Sequence, residues 1–184
     1  MNFGQALVCL LSAALFVACD RKPIEVTPSG TNLTIPVTPP AIVQPPSPTQ
    51  AQPKLQTIKI FLGAEELDAE MALTAEQQHI GMMFRTNHTD SDAMIFVFPS
   101  SYRASFWMKN CPESLSAAYI DPDGVIQEIH HLEQQDTNSV VATSENIQYV
   151  LEVKDGWFQR HNVNTGAVIR TEFGPLRKTF FEKR

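Results

Sequence analysis

The stretch Phe106–Cys111 reads FWMKNC, and it places two aromatic rings, a thioether, a cation, an amide and a thiol in six consecutive positions. The alternation of apolar and polar residues in Leu115–Ile120 indicates that the chain is extended in this region. Successive side chains of an extended chain point to opposite faces, so we expect Trp107, Lys109 and Cys111 on one face. The stretch therefore predicts a strand that anchors a core with one face and carries polar groups on the other.

Short runs with strand patterns lie on both sides of this stretch. They occur at residues 56–62, 67–73, 93–98, 115–121, 125–132, 147–153 and 167–173. Two short helices are predicted as well: one from residue 75 to about 83, behind the capping-box spacing of Thr74 and Gln77, and one that begins at Asp155. Because there is no βαβ alternation, we expect an α+β, mainly β domain: a small antiparallel sheet, curled or barrel-like, with two short helices.

The N-terminus has the features of an export signal. Residues 1–18 contain no charged side chain, and the apolar run Ala6–Ala18 is shorter than the ~20 residues that a membrane-spanning helix needs. Ala18 and Cys19 resemble a bacterial lipobox, although Phe16 stands where leucine is usual. We expect lipidation of Cys19 and a membrane-anchored lipoprotein that faces the periplasm or the cell exterior. An uncleaved signal anchor and a start site placed too far downstream are the alternatives.

A proline-rich segment follows the predicted lipidation site. Nine of the thirteen prolines lie between Pro23 and Pro53, and Glu25 is the one charged residue between them. This composition cannot bury a core and favours polyproline II, so we interpret the segment as a tether. The expected organisation is a signal peptide at 1–18, the lipidated cysteine and tether at 19–53, a globular domain at 54–174 and a basic, aromatic C-terminal tail at 175–184.

Charge and cysteine content narrow the classes of function. The net charge of -6 argues against nucleic acid as a partner, because nucleic-acid recognition needs a basic surface. Of the three cysteines, Cys9 lies in the predicted signal and Cys19 at the predicted lipidation site, which leaves Cys111 alone in the domain. We therefore expect no internal disulfide, and the stability of the domain must come from its core.

Five segments of the chain carry a recognisable pattern. In order they read GMMFR at 81–85, AMIFVF at 93–98, FWMKN at 106–110, YIDPDG at 119–124 and YVLEVKDG at 149–156. Their order and spacing resemble the family called domain of unknown function 192, which consists of small, often exported prokaryotic domains. The resemblance covers about residues 56–173, and it implies a compact β-rich α+β fold with no established activity. Two positions depart from the family pattern: Cys111 stands where threonine is usual, and Ser116 stands where an acidic residue is usual.

The polar residues of these segments are the candidate ligand-binding residues. In one interpretation Arg85, Lys109, Asn110 and Glu152 converge on a cleft, where the two cations bind an anion or a sugar carboxylate and Trp107 stacks on a ring. In the other, they form a structural network in which Glu152 pairs with Arg85 or Lys109 and so compensates a buried charge. We favour the structural network.

Cysteine, histidine and methionine side chains are the remaining candidates for a nucleophile or a metal ligand. Cys111 is a candidate nucleophile, since Lys109 lies two residues away and would lower the thiol pKa, but no partner histidine is evident, so we prefer a small buried side chain in place of threonine. The histidines lack the spacing of a zinc site. The methionines at 82, 83, 94 and 108 could hold Cu(I), but methionines among aromatic residues are usually packing residues. We therefore expect neither a metal nor a cofactor.

The sequence has no phosphate loop, nucleophile elbow or dinucleotide fingerprint. We expect a lipid-anchored, non-enzymatic binding or accessory module of the cell envelope, whose ligand is a small polar or anionic envelope molecule. One alternative is a small hydrolase-like or transferase-like envelope enzyme built on the same four polar residues. The other is an interaction subunit for another envelope protein. A deep polar pocket would favour a ligand or an enzyme, and a flat apolar patch would favour a protein partner.

Overall fold

The computed structural model describes residues 47–182. The predicted signal peptide, Cys19 and most of the predicted tether lie outside the described residues. Within residues 47–182 the elements are β1 (Thr57–Leu62), β2 (Glu65–Ala72), α1 (Ala75–Ile80), β3 (Asp92–Tyr102), β4 (Ser105–Phe106), β5 (Leu115–Ile120), β6 (Ile126–Leu132), β7 (Val140–Val141), β8 (Ile147–Lys154), α2 (Trp157–Arg160), β9 (Ile169–Thr171), β10 (Gly174–Pro175) and α3 (Leu176–Phe181). None of these helices is long and apolar enough to cross a membrane.

Eight of the described strands form one sheet, in the order β10-β9-β1-β2-β3-β8-β5-β6. Neighbouring strands are antiparallel except β2 and β3, which are parallel and are connected through α1. The strands β4 and β7 form a separate two-stranded ribbon. The prediction of an α+β, mainly β fold is confirmed, although the sheet is mixed rather than purely antiparallel and is accompanied by three short helices instead of two.

The sheet bends back toward itself but does not close into a barrel. Val125 forms an isolated bridge with Val168, and the Ile126 N–H donates to the Ala167 carbonyl (2.9 Å), so the start of β6 lies beside the segment before β9. The bridge does not continue as a ladder, and β6 and β10 are the two ends of the described sheet. The sequence predicts a curled or barrel-like sheet, and the described sheet is curled but not a closed barrel.

Hydrophobic side chains cover both faces of the sheet. On one face, the first core includes Ile60, Ile95, Leu151, Trp157, Phe158 and Leu176. On the other face, the methionine core includes Met82, Met83, Met94, Met108, Phe96, Cys111 and Tyr119. The central strands β3, β5 and β8 contribute to both cores, which is why their sequences are apolar over most of their length rather than alternating.

The helix α1 begins where the sequence predicts but ends earlier. Its capping box is confirmed, because the Gln77 N–H donates to the Thr74 hydroxyl and the Thr74 N–H donates to the Gln77 side chain. The helix ends at Ile80 rather than near residue 83, because Gly81 adopts a left-handed φ of 49°. The chain then turns inward, and the next two residues, both methionines, enter the methionine core.

The folded part of the chain extends beyond residues 54–174 at both ends. The segment predicted as a tail contains α3, in which Leu176 is fully buried and Phe180, four residues later on the same helix face, packs against the first core. At the other end, the Gln52 side-chain amide donates to the carbonyls of Gln77 (3.1 Å) and Gly81 (2.9 Å). The four-residue spacing of Leu176 and Phe180 was the sequence signal for α3.

Candidate functional site

The stretch Phe106–Cys111 is mostly a turn rather than a strand. Its first residue belongs to the two-residue strand β4, after which the Cys111 N–H donates back to the Met108 carbonyl (3.0 Å). Asn110 adopts a left-handed φ of 61°, which asparagine tolerates better than most residues. The Phe84 N–H donates to the Asn110 carbonyl (2.7 Å), so a bond from a distant segment holds the turn in place.

The turn changes which side chains of the stretch share a face. Met108 and Cys111 are both buried in the methionine core, whereas Trp107 is 38% exposed. Lys109 lies over the Trp107 ring, with its Nζ 5.3 Å from the ring centroid, at a cation–π distance. Trp107 and Lys109 therefore lie together as predicted, but the prediction that Cys111 shares their face is wrong because the chain is not extended there.

A cavity of about 290 Å³ lies on the methionine-core side of the sheet. Its outer wall includes Tyr102 and Trp107, which are the most exposed aromatic residues of the lining, and His79 from α1. Its inner wall includes Cys111 and Glu152, which are both buried. A solvent-connected cavity with an aromatic outer wall and one carboxylate in its inner wall has the general composition of a small-molecule site. We call it the Glu152 cavity.

Glu152 has an unusual environment for a carboxylate. It lies in β8 and faces the methionine core, because its neighbours Leu151 and Val153 face the first core. Its cross-strand neighbours are Met94 and Ala117. Neither side chain has a hydrogen-bond donor that could compensate the charge of the carboxylate. Only 4% of the residue is exposed, and none of the residues 47–182 forms an ion pair or hydrogen bond with its carboxylate. Burial raises the pKa of Glu152 to about 8.

Cys111 does not have the properties of a nucleophile. Burial, with a smaller contribution from the nearby charge of Glu152, raises the pKa of the Cys111 thiol to about 12. A thiol with so high a pKa is protonated at neutral pH, and the thiolate is the reactive form. The interpretation of Cys111 as a small buried side chain therefore fits the structure, and Lys109, which is directed at Trp107, does not activate it.

Arg85 pairs with Glu70 and not with Glu152. The Nη1 and Nη2 atoms of Arg85 donate to Oε1 (2.5 Å) and Oε2 (2.9 Å) of Glu70, and the Leu55 N–H donates to the same carboxylate (2.6 Å). Burial opposes the ionisation of Glu70, but these hydrogen bonds outweigh it and lower the pKa of Glu70. The predicted network in which Glu152 pairs with Arg85 or Lys109 is wrong, because Arg85 pairs with Glu70 and Lys109 lies over the Trp107 ring.

The five candidate residues do not converge on one cleft. Trp107 and Glu152 line the Glu152 cavity, whereas Arg85 lines a different depression beside Glu70. Lys109 covers Trp107 from outside, and Asn110 forms the turn, with its Nδ2 3.9 Å from the Met83 sulfur. The predicted anion site built from Arg85 and Lys109 is therefore not assembled in this structure.

Ser116, the second of the two positions that depart from the family pattern, lies on the first-core face of β5, opposite the cavity. Its Oγ donates to Asp155 Oδ1 (3.1 Å) and accepts from the Gly156 N–H (2.9 Å), which fixes the turn between β8 and α2. Asp155 Oδ1 also binds His131 Nδ1 (2.8 Å). Within residues 47–182, no group of three or more His, Cys, Asp or Glu side chains is placed to hold a metal ion.

Sequence reasoning missed Glu70, Tyr102 and His79. The sequence predicts a strand at residues 93–98, which ends before Pro99, but β3 continues through Pro99 with a register shift between Val97 and Tyr102, and Tyr102 lines the cavity. A strand tolerates proline at a register shift, so Pro99 does not have to end β3. The aromatic residues after Pro99 were the sequence signal that the strand continues toward the core. Glu70 had a signal as well, since it is a charged residue in a run that also contains buried alanines.

Comparison with known proteins places the chain among uncharacterised domains. The family model for DUF192, described as an uncharacterized ACR, matches residues 58–171. Comparison with curated proteins finds no match.

Two solved structures are similar to this chain. A protein of Novosphingobium aromaticivorans described as being of unknown function has 26% identity and a TM-score of 0.61, with 65% of this chain and 90% of that chain covered. A protein of Sinorhizobium meliloti described as a proposed transcription regulator has 25% identity and a TM-score of 0.58, with 62% of this chain and 92% of that chain covered. Neither description specifies a ligand or a reaction.

Proposed function

The chain belongs to the DUF192 family, and on that premise we propose that its domain is a non-enzymatic binding module whose ligand site is the Glu152 cavity. The observation that carries the proposal is the carboxylate of Glu152, which is 4% exposed, lines an open cavity and has no polar partner among residues 47–182. Burying an ionisable group without a partner is costly, so such a group in a cavity is a candidate contact for a ligand.

Binding is better supported than catalysis. The enzyme alternative requires Arg85, Lys109 and Asn110 to act together with Glu152, but these three residues do not line its cavity. The thiol nearest to Glu152 has a pKa of about 12, which removes the nucleophile that the cavity would offer. General acid–base chemistry by one carboxylate would still need a second group placed to act on the same substrate.

The charge of the cavity changes the ligand that we propose. The sequence predicts a small polar or anionic envelope molecule, with Arg85 and Lys109 as the groups that bind the anion. The inner wall instead presents a carboxylate, and Arg85 is already neutralised by Glu70. An anionic group in this cavity would face repulsion from Glu152 or would have to keep it protonated.

The test uses the two tryptophans of the chain as reporters. Trp107 lines the cavity and Trp157 is buried in the first core, on the other face of the sheet. We titrate the ¹⁵N-labelled full chain with benzylamine, benzyl alcohol and benzoate, and follow both indole N–H resonances by NMR. At least one compound is expected to shift the Trp107 resonance saturably and to leave the Trp157 resonance in place.

A matched pair of variants locates the binding. Ser105→Phe adds a ring to an exposed serine that lines the cavity, and Ser101→Phe adds the same ring to an exposed serine that does not. We expect Ser105→Phe to weaken the Trp107 response and Ser101→Phe to preserve it. If none of the three compounds shifts Trp107, or if Ser105→Phe binds as the parent does, the Glu152 cavity is not the ligand site.

The envelope location is part of the proposal and rests on the sequence of the first 53 residues. We propose that Cys19 carries the lipid and that the proline-rich segment separates the domain from the membrane. Expression with a palmitate analogue should label the full chain, and Cys19→Ser should abolish the label and release the protein from the membrane fraction. Retained labelling in Cys19→Ser, or no labelling of the parent, would contradict the lipid anchor; Cys9→Ser is the matched control.

A further inference from the structure

Resting on the proposed function, we propose that the Glu152 cavity takes an organic ammonium ligand, whose charged head meets the Glu152 carboxylate and whose apolar body lies among the aromatic and thioether side chains of the wall. Two independent features of the cavity support this ligand class: the charge of its inner wall and the composition of its outer wall.

The inner wall selects for a cation or a hydrogen-bond donor. Glu152 is flanked across the sheet by Met94 and Ala117, so the two neighbouring strands offer it no donor. A carboxylate accepts hydrogen bonds, and an ammonium group donates up to three of them while compensating the charge. The ligand would thus supply the hydrogen-bond donor for Glu152 that residues 47–182 do not provide.

The outer wall suits the remainder of such a ligand. Phe98, Tyr102, Phe106 and Trp107 line it, and Phe106 packs edge-to-face on Phe96 with ring centroids 5.0 Å apart. Aromatic faces attract organic cations, and the Lys109 ammonium 5.3 Å from the Trp107 centroid is an example on this surface. Two methionines, Met82 and Met83, complete an adaptable apolar wall.

Other titratable groups face the same region, and each must be considered in a pH experiment. Cys111 and Tyr119 interact electrostatically with Glu152, and burial raises the pKa of both groups, so both remain neutral near pH 7. His79 and Tyr102 line the cavity, and burial raises the pKa of Tyr102 as well. His79 in the lining and Lys109 over the Trp107 ring are the remaining ionisable groups of this region, and the pH series includes a variant of His79.

The experiment compares ligands that share a ring and differ in charge. With the full chain at pH 7.5, benzylamine is expected to bind at least about tenfold more tightly than benzyl alcohol, and benzoate more weakly than either. Glu152→Gln should remove the advantage of benzylamine over benzyl alcohol, whereas Glu145→Gln, at an exposed glutamate outside the cavity, should preserve it.

A pH series adds a readout that a structural role of Glu152 would not move. Because the pKa of Glu152 in the empty cavity is about 8, its proton must leave before the cation binds, so benzylamine binding should strengthen by about tenfold or more from pH 6 to pH 8. Binding of benzyl alcohol should change little. His79→Gln should keep the pH dependence, and Glu152→Gln should lose it.

The possible outcomes distinguish a failure of the ammonium proposal from a failure of the Glu152 cavity as the binding site. Equal affinities for benzylamine and benzyl alcohol, both sensitive to Ser105→Phe, would overturn the ammonium proposal and leave the binding module intact. Tighter binding of benzoate would overturn it in the same way. If Glu152→Gln loses the dispersed spectrum of a folded protein, Met94→Lys replaces it as the test, because a lysine opposite Glu152 should compete with benzylamine and abolish its advantage.

Discussion

Glu70 and Glu152 lie on the same face of one sheet, and both have Met94 as their neighbour on the intervening strand β3, yet their environments are opposite. Glu70 is 7% exposed and is held by Arg85 and the Leu55 N–H, and its pKa is lowered despite its burial. Glu152 is 4% exposed, and burial raises its pKa to about 8 because no described residue compensates its charge.

The difference teaches that burial alone does not decide the role of a carboxylate. When a guanidinium donates two hydrogen bonds to a buried carboxylate, the charge of the carboxylate is compensated. The ion pair then holds the surrounding segments together. A buried carboxylate without such a partner is neutral over much of the physiological pH range, and it is available to a proton or a ligand. We therefore assign a structural role to Glu70 and propose a binding role for Glu152.

The largest effect is expected from breaking the occupied pair. Arg85→Met leaves the Glu70 carboxylate buried without its main partner, and we expect the free energy of unfolding at pH 7 to fall by about 3 to 5 kcal/mol. Urea denaturation measures the change. The double variant Arg85→Met with Glu70→Gln should recover much of it, because it removes the uncompensated charge. A loss below about 1 kcal/mol in Arg85→Met would show that the pair is not what holds this region.

The second prediction concerns the unpartnered carboxylate. The folded pKa of Glu152 is about 8 and its ordinary value is 4.5, so the folded state holds this proton more tightly and stability falls as pH rises from about 4.5 to about 8. Two pH units in that window correspond to about 2 to 3 kcal/mol. Between pH 6 and pH 8, the parent should therefore lose about that much stability relative to Glu152→Gln in urea denaturation. Parallel pH profiles for the two proteins would contradict the raised pKa.

Sequence patterns predicted the parts of this molecule that depend on near neighbours. The alternation in β1 and β2, the apolar runs of β3 and β8 and the Thr74 capping box all depend on residues within a few positions of one another. The fold class and most strands follow from these patterns. The helix α3 was not predicted, because its apolar residues were interpreted together with their basic neighbours as a tail.

The site depended on contacts between distant segments, and sequence patterns do not encode them. The turn that buries Cys111 requires the Phe84 N–H bond to Asn110 and the Met108 N–H bond to the Asp136 carbonyl (2.7 Å). Arg85 and Glu152 are both candidates from the sequence, but the partner of Arg85 is Glu70, which lies fifteen residues earlier in β2. Residue types therefore identified the groups that carry chemistry, while the fold decided which of them meet.

A third prediction converts one environment into the other. Met94→Lys places an ammonium opposite Glu152 with little change in side-chain length, while Glu70 on the other side remains paired with Arg85. The new pair should lower the pKa of Glu152, and the loss of stability between pH 6 and pH 8 should fall to half of the parent value or less. Met94→Leu, which adds no charge, should keep the parent profile. An unchanged profile in Met94→Lys would show that residue 94 does not face Glu152.

The smallest effect is expected for an ion pair that shares one contact distance with Arg85 and Glu70 but has a single hydrogen bond and lies in water. Arg103 Nη2 is 2.9 Å from Glu145 Oε1, the same distance that separates Arg85 Nη2 from Glu70 Oε2. The side chains of the first pair are 52% and 79% exposed, however, and those of the second pair 18% and 9%. Water solvates the separated charges of an exposed pair almost as well as the partners do, so Arg103→Ala should change the free energy of unfolding by less than about 0.5 kcal/mol. A cost for Arg103→Ala that approaches that of Arg85→Met would mean that burial does not set the energetic role of Glu70, because an exposed pair with a single hydrogen bond would then be worth as much as a buried pair with two.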